Sequence, residues 1–506
     1  MKKIKKHVWL AITFVIAGLL LTVSATAVKE VQKPEDKKNG LNTTIAGHMT
    51  LTPASVKNIA KTTMKTMKTK PMPLGIDTQV TPNPLTDQNP ALVTDGIGDF
   101  LSLYEIEIDE SEFDIGISNY ASGGDVWSDQ YQFEVDGNPV QPRLDFYQGK
   151  TAYGTWTADP WEALGFAYFA VFPDITDPEA GEDGWVYYSV EWGTNDIGVP
   201  FTSADVACYS TDNPPTEAWW GIIGFTGDND YSGYEEDNTF MFQYDTEEGY
   251  VTIIFFYNLD QDVYNIATDI DQSTARFYMV ADYVNETDPS QYGTMVLVSP
   301  EITSDEEWWQ GDWPGVLFNY CSHPQVDTSN GRVYITTELT TEDNSKDIVC
   351  WTTTTPDNWG SWEAYTVTET PGEDEANPVI TAYSDTNAAI ILTKDNDLYI
   401  SRTTDSAQTW STPEQINDNT GSVVEQYGCT DITGNYLVWT DGREGNSDIY
   451  FDVGGNPPTA PSITGPSKGK PNKEYSFTFK STDPEGSNIY YYVDWGDGTY
   501  TDWDGP

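Results

Sequence analysis

The stretch NPVITAYSDTNAAIILTKDNDLYISRTTDSAQTWSTPEQI, residues 377–416, decides how this chain is read. Four apolar segments, NPVITAY, NAAIILTK, NDLYISRTT and WSTPEQI, alternate with clusters of Asp, Asn, Ser and Thr. Short β-branched and aromatic runs punctuated by turn formers predict four strands joined by tight turns. The plan recurs upstream, where HPQVDTS at 323–329 leads to GRVYITTEL, KDIVCWTTT and a fourth strand after Trp362. Aligned, the two blocks place Asp397, Leu398 and Tyr399 over Asp347, Ile348 and Val349, and Asp448, Ile449 and Tyr450 supply a third copy.

Further starts with a proline before an apolar strand are NPALVTD at 89–95 and QPRLDFY at 141–147. The prolines at 90, 142, 324 and 378 are 52, 182 and 54 residues apart, and the long gap holds about three more units of similar length. A period near fifty with several short strands in each unit predicts an all-β propeller over 75–454. Starts near 90, 142, 205, 265, 324, 378 and 425 make seven blades. The last unit ends with SDIYFDV at 447–453, too early for a fourth strand of its own. GIDTQVTPN at 75–83 has the alternation of an outer strand and is expected to complete that blade, closing the ring and hiding two sheet edges.

Within the third-to-fourth strand turn, TTDSAQTW resembles the Asp-box of sialidase-like (BNR-repeat) propellers, S/T-x-D-x-G-x-T-W. Thr403 takes the hydroxyl position, Asp405 the aspartate, Thr409 the second hydroxyl and Trp410 the tryptophan, while Ala407 stands where glycine is usual. A second copy, TPDNWGSW, supplies Thr355, Asp357, Ser361 and Trp362. The resemblance implies a structural signature away from any catalytic face: the carboxylate accepts backbone N–H bonds across the turn and the indole seals the blade. It also raises six blades, the count of sialidases, as an alternative.

The chain opens with MKKIKKHVWLAITFVIAGLLLTVSATA, lysines followed by an apolar run and Ala-Thr-Ala, which reads as a secretory signal over 1–27. Export makes the expected location extracellular or cell-surface, with membrane attachment only through an uncleaved signal or a missing C-terminal anchor. Residues 28–74, rich in Lys, Thr and Met, read as a flexible leader or one weak helix. Of the 20 lysines 13 lie at or before Lys70, and the remainder carries 77 acidic against 12 basic residues. Such a polyanion repels nucleic acid and anionic lipid, and attracts divalent cations. Asp228, Asp230 and Ser232 in GDNDYSGYEEDNTF have the spacing of the first half of an EF-type loop, so Ca2+ is the cofactor the acidity allows, although Thr239 replaces the closing Glu.

Four cysteines, 208, 321, 350 and 429, form no CxxC pair; outside the cell Cys321 with Cys350 is the candidate disulfide. Beyond His7 only His48 and His323 remain, which excludes histidine-rich zinc chemistry and would force any serine-histidine-acid triad onto His323. After a Pro-rich linker at 455–462, residues 463–506 include VDWGDGT, which resembles the most specific string of a PKD-type immunoglobulin-like domain, carried by Asp494, Trp495, Gly496, Asp497, Gly498 and Thr499. That module stops short of its usual strand count, as a fragment or as a half completed by a partner.

A sialidase-type site needs three arginines converging on a substrate carboxylate, a tyrosine activated by a carboxylate and an acid. The chain has five arginines, of which Arg143, Arg276 and Arg402 are the candidates. Abundant aromatics, such as the pairs Trp219–Trp220 and Trp308–Trp309, suit stacking on sugars or docking to protein. The expected function is therefore binding of a glycan or an envelope protein. The alternatives are a glycoside hydrolase of sialidase type and a structural envelope component.

Overall fold

The computed structural model describes residues 42–50 and, with short interruptions, 77–481; the longest internal gaps are 192–200, 210–219, 228–237 and 303–312. Seven antiparallel sheets follow one another along the chain: residues 87–133, 138–191, 201–257, 261–319, 321–368, 376–415 and 430–453, called blades 1 to 7 here. Within each blade the strands pair in chain order. The first strands are Asp87–Thr94, Asn138–Phe146, Phe201–Tyr209, Gln261–Asp271, Cys321–Ser329, Ala376–Ala382 and Thr430–Thr433. Each of these touches the first strand of the blade before and after it, and the seventh returns to the first. A closed ring of radial sheets is a β-propeller, with the first strands around the axis.

Blade 7 has only three strands of its own, and Thr78–Gln79 pairs antiparallel with Asp448–Val453 as the fourth. The N-terminal strand thus completes the C-terminal blade, as the alternation in GIDTQVTPN predicts. The clasp is fastened by charge: Arg443 Nη2 lies 2.5 Å from Asp77 Oδ2 and 2.6 Å from Asp441 Oδ2, with its guanidinium over the Tyr450 ring at 4.0 Å. Asp77 Oδ2 also accepts the Asp418 N–H at 2.8 Å, which joins the clasp to blade 6's exit loop.

Packing between blades is aromatic and aliphatic. Trp156, Trp439, Tyr104 and Tyr334 are fully buried, and Phe318 of blade 4 stacks on Trp351 of blade 5 at 4.0 Å and 5°. One part of the expected leader behaves otherwise: Asn42–Thr50 pairs with Tyr250–Tyr257 as a fifth, outermost strand of blade 3. A blade's outer edge is a row of unpaired backbone groups, and the β-branched residues of NTTIAGHMT fit the ladder it offers.

Cys321 and Cys350 are not bonded to each other; all four cysteines are buried free thiols. Cys321 lies on the first strand of blade 5 and Cys350 on the third, with the second strand between them. Two ladder spacings of ~4.8 Å exceed the Cα separation a disulfide spans. Beyond the propeller a small two-stranded sheet joins Ser462–Thr464 to Thr478–Lys480. The signal at 1–27, Asp228, Asp230 and Ser232, the pair Trp308–Trp309 and the string from Asp494 to Thr499 lie outside the described residues. Among the described residues no helix is long and apolar enough to cross a membrane.

Candidate functional site at the propeller axis

A propeller's first strands leave one edge unpaired, facing the axis, and its N–H groups need acceptors. Aspartates supply them in turn. Asp145 accepts the N–H of Cys208 in the next blade at 2.6 Å, Asp205 that of Thr268 at 2.6 Å, and Asp327 that of Ala382 at 2.7 Å. Asp431 accepts the Leu92 N–H at 2.8 Å and links blade 7 to blade 1. Asp269 accepts the Thr328 hydroxyl at 2.5 Å, and Thr381 of blade 6 accepts the Gly434 N–H at 3.2 Å. Five carboxylates and one hydroxyl therefore lace six of the seven blade junctions around the axis.

Depth makes these carboxyls weak acids. Burial first, then the neighbouring carboxylates, push Asp145 and Asp327 up to about 7. Burial likewise raises Asp205 and Asp431 to about 6, partly offset by Arg143, and lifts Asp269 above its ordinary value.

Nearer the start of the first strands is a second set of links. Asn89, Gln141, Asn265, His323 and Asn377 all adopt φ 51, where each strand's register shifts; four of the five precede a proline. A buried carboxylate on a second strand serves three of these junctions, and at the junction of blades 7 and 1 the Thr440 hydroxyl accepts the Asn89 N–H at 3.1 Å. Glu105 accepts Asn89 Nδ2 in its own blade and the Gln141 N–H of the next, both at 2.8 Å. Asp282 accepts Asn265 Nδ2 at 2.9 Å and the His323 N–H at 3.1 Å. Glu338 accepts the Asn377 N–H at 2.9 Å, with His323 Nδ1 at 2.8 Å and Lys346 Nζ at 2.6 Å. Burial raises Glu105, and raises Asp282 to about 6. At Glu338 burial is outweighed by His323 and Lys346, which hold it below the usual range. His323 is raised in return, because Glu338 outweighs the burial that would lower it.

Tyr427, in the connection from blade 6 to blade 7, closes this end of the axis. Its ring stacks on His323 of blade 5 at 4.8 Å, and the Arg143 guanidinium of blade 2 lies 5.8 Å from its centroid. Blades 2 and 5 stand on opposite sides of the ring, so a side chain touching both lies over the axis. Gln426 Nε2 pins the same loop to Asn89 Oδ1 of blade 1 at 2.7 Å. Burial pushes the Tyr427 hydroxyl up to about 12 despite Arg143, so the phenol is neutral. Asp282 Oδ1, buried in the same cluster, has no hydrogen-bond partner. This end of the axis thus gathers donors from Arg143, His323 and Lys346 and acceptors from Glu105, Asp282 and Glu338, with His323 and Lys346 both paired to Glu338.

Of the candidate arginines only Arg143 reaches this place. Arg276 is spent on Asp357 at 2.6 Å, linking blade 4 to a turn of blade 5, and Arg402 lies on the third strand of blade 6, away from the axis. A guanidinium triad of sialidase type is not assembled, since the strands carrying those two arginines do not line the axis. Among the described residues no group of three His, Cys, Asp or Glu is arranged to hold a metal ion.

The turn at 403–410 is built as its residue types require. Asp405 Oδ1 accepts the Thr409 N–H and the Thr403 hydroxyl, each at 2.9 Å, and Asp405 Oδ2 accepts the Thr409 hydroxyl at 2.6 Å. Ala407 has φ 69 and no exposed surface, which explains why glycine suits its position and why a small side chain stands there. Ala407→Val is expected to destabilise the protein by about 2–4 kcal/mol, from left-handed strain and overpacking together; an equilibrium urea transition unchanged from wild type would refute this. In the second turn the structure puts Thr353, not Thr355, where Thr403 stands: Thr353 Oγ1 meets Ser361 Oγ at 2.7 Å and accepts the Thr355 N–H at 3.0 Å. This turn is two residues longer, carries a short 3-10 helix at Trp359–Ser361, and turns Asp357 outward to Arg276. Trp362 packs edge-on against Phe318 at 5.5 Å.

The axial aspartates had a sequence signal that proline spacing does not use. Asp145 and Asp327 stand three places after Pro142 and Pro324, and a second-strand Glu or Asp recurs at 105, 282 and 338. Tyr427 had none, because a loop residue's position over the axis depends on how the ring closes.

No protein-family model matches the chain, and no curated protein matches it. Solved structures with a similar fold include a protein of unknown function from Dyadobacter fermentans, at 8% identity and TM-score 0.39, covering 75% of this chain and 99% of the other. Trypanosoma rangeli sialidase is similar at 9% identity and TM-score 0.35 over 72% of this chain, which spans about half (54%) of that protein's length. The β-propeller domain of the Trilobed protease from Pyrococcus furiosus is similar at 10% identity and TM-score 0.41, covering 72% and 95%. The likeness is one of general propeller architecture, which the sheet order already establishes.

Proposed function

We propose that the protein is an extracellular or cell-surface propeller that binds a hydroxyl-rich glycan, or a polar segment of an envelope protein, at the axial mouth. The observation that carries this reading is the mixed ring of donors and acceptors around Tyr427, with Asp282 Oδ1 unpartnered inside it. Sugar hydroxyls both donate and accept, so they match such a ring better than a purely anionic or cationic ligand. In this reading residues 1–27 direct export, residues 463–506 are a PKD-type module displayed beside the propeller, and any Ca2+ belongs to the loop at Asp228, Asp230 and Ser232.

A glycoside hydrolase is the second reading, favoured by a tyrosine, an arginine and several carboxyls meeting at one end of the axis. Against it stand the neutral Tyr427 phenol and the engagement of Arg276 elsewhere. A glycan array with the full chain, followed by product analysis on every positive glycan, separates the two. Binding without product is expected, weakened roughly 10-fold or more by Tyr427→Ala, as loss of one well-packed aromatic contact implies. Released sugar would establish the hydrolase, and binding that Tyr427→Ala leaves intact would remove the axial mouth as the site.

A further inference from the structure

Blades 5 and 6 share an apolar core of Tyr334, Ile348, Cys350, Val367, Ile390 and Leu392, packed differently from the contact between blades 4 and 5. Between blades 4 and 5 the space is filled by Phe318 stacked on Trp351, with Trp362 edge-on. The alignment that sets Asp397 over Asp347 puts Ser401 where blade 5 has Trp351. A cavity of roughly 480 Å3 lies between blades 5 and 6, with walls that include Thr368, Glu369, Glu375, Lys394, Tyr399 and Trp410. That volume falls within the range of small-molecule sites.

Three buried polar atoms on these walls have no hydrogen-bond partner: Trp410 Nε1, Thr368 Oγ1 and Glu375 Oε2. Glu375 is 1% and Thr368 7% exposed. A buried polar atom without a partner costs folding free energy, so three on residues that line one cavity point to something that enters it. The indole N–H only donates, the hydroxyl does both, and the carboxylate only accepts. Two aromatic side chains, Tyr399 and Trp410, lie beside them. Lys394 is held by Glu373 and stands 3.7 Å from Glu375, so it offers no free positive charge, and Glu369 adds a further negative one.

We propose that this inter-blade cavity binds a neutral saccharide of one or two rings, its hydroxyls completing the three open hydrogen bonds and its apolar face lying against Tyr399 or Trp410. An acidic sugar is disfavoured by Glu369, Glu373 and Glu375. The site is separate from the axial mouth and does not depend on the function proposed there.

The test uses the full chain, titrated with glucose, galactose, mannose, N-acetylglucosamine, maltose, cellobiose, lactose and sialic acid, and followed by tryptophan fluorescence and saturation-transfer NMR. At least one neutral sugar is expected to saturate the protein, and sialic acid is not. Glu375→Gln and Tyr399→Ala should each weaken that sugar roughly 10-fold, the loss of one charge-assisted bond or one ring contact, while Tyr427→Ala leaves it unchanged. The proposal is overturned if no neutral sugar saturates, or if sialic acid binds as well as the neutral sugars. Binding that Tyr427→Ala removes but Glu375→Gln and Tyr399→Ala spare would equally overturn it.

Discussion

Arg443→Ala is expected to lower the propeller's stability by about 3–5 kcal/mol, the cost of leaving buried carboxylates without their counter-charge. Among the described residues Arg443 alone neutralises Asp77 and Asp441, whose side chains are 2% and 0% exposed. Burial pushes both carboxyls up. At Asp441 the bonds from Arg443, Trp439 and Ser422 outweigh it, whereas at Asp77 they do not. The loss falls on the ring's closure, since Asp77 precedes the strand that joins the two ends of the propeller chain. Urea unfolding should therefore shift, and hydrogen exchange at residues 78–83 should lose protection before the other blades do. Arg443→Lys keeps the charge but not the forked geometry, and belongs between wild type and the alanine variant. An alanine variant within about 0.5 kcal/mol of wild type, the scatter of ordinary surface changes, would show that the clasp is not held by this charge cluster.

The second large effect is on pH. Asp145 and Asp327 near 7, and Asp205, Asp431 and Asp282 near 6, all lie above the ordinary carboxylate range. Between pH ~4 and pH ~7 the folded protein then holds protons that the unfolded chain releases, so stability is greatest on the acid side and falls as pH rises. His323, also raised, acts in the same direction, losing its contribution as pH climbs through its folded value. Ordinary surface carboxylates are ionised throughout the interval from pH 5.5 to 8 and add little slope. A fall in Tm of ~5 °C or more across that interval is expected for a chain of this size. Replacing Asp145 and Asp327 together by Asn should flatten the slope, whatever it does to the absolute Tm. A Tm that is level or rising from pH 5.5 to 8 would contradict the buried ring.

Much of the fold was legible in advance because strands and turns are local. A period near fifty, the proline starts and the alternation in GIDTQVTPN depend on residues close in sequence, and they mark the blades and the closing strand. The turn at 403–410 was legible for the same reason, since Thr403, Asp405 and Thr409 bond within one loop. Where the second turn runs two residues longer, spacing alone led to Thr355, although the strand alignment already pointed to Thr353. The candidate sites were much less readable. Arg143, Arg276 and Arg402 look alike in sequence, and only the radial position of their strands separates the axial one from the two peripheral ones.

The amino-acid sequence by itself determined that this chain is a run of four-stranded antiparallel units and that its first propeller strand completes its last blade, because hydrophobic alternation and turn chemistry act over a few residues. Which side chains meet was decided by the tertiary structure. Asp145 finds the Cys208 N–H 63 residues away, and Asp77 finds Arg443 across 366, only because the ring closes. The cavity beside Trp410 has walls from two blades, Thr368 of blade 5 and Tyr399 of blade 6 among them. Contacts between blades are set by the angle at which whole sheets pack, and no short stretch of sequence encodes that angle.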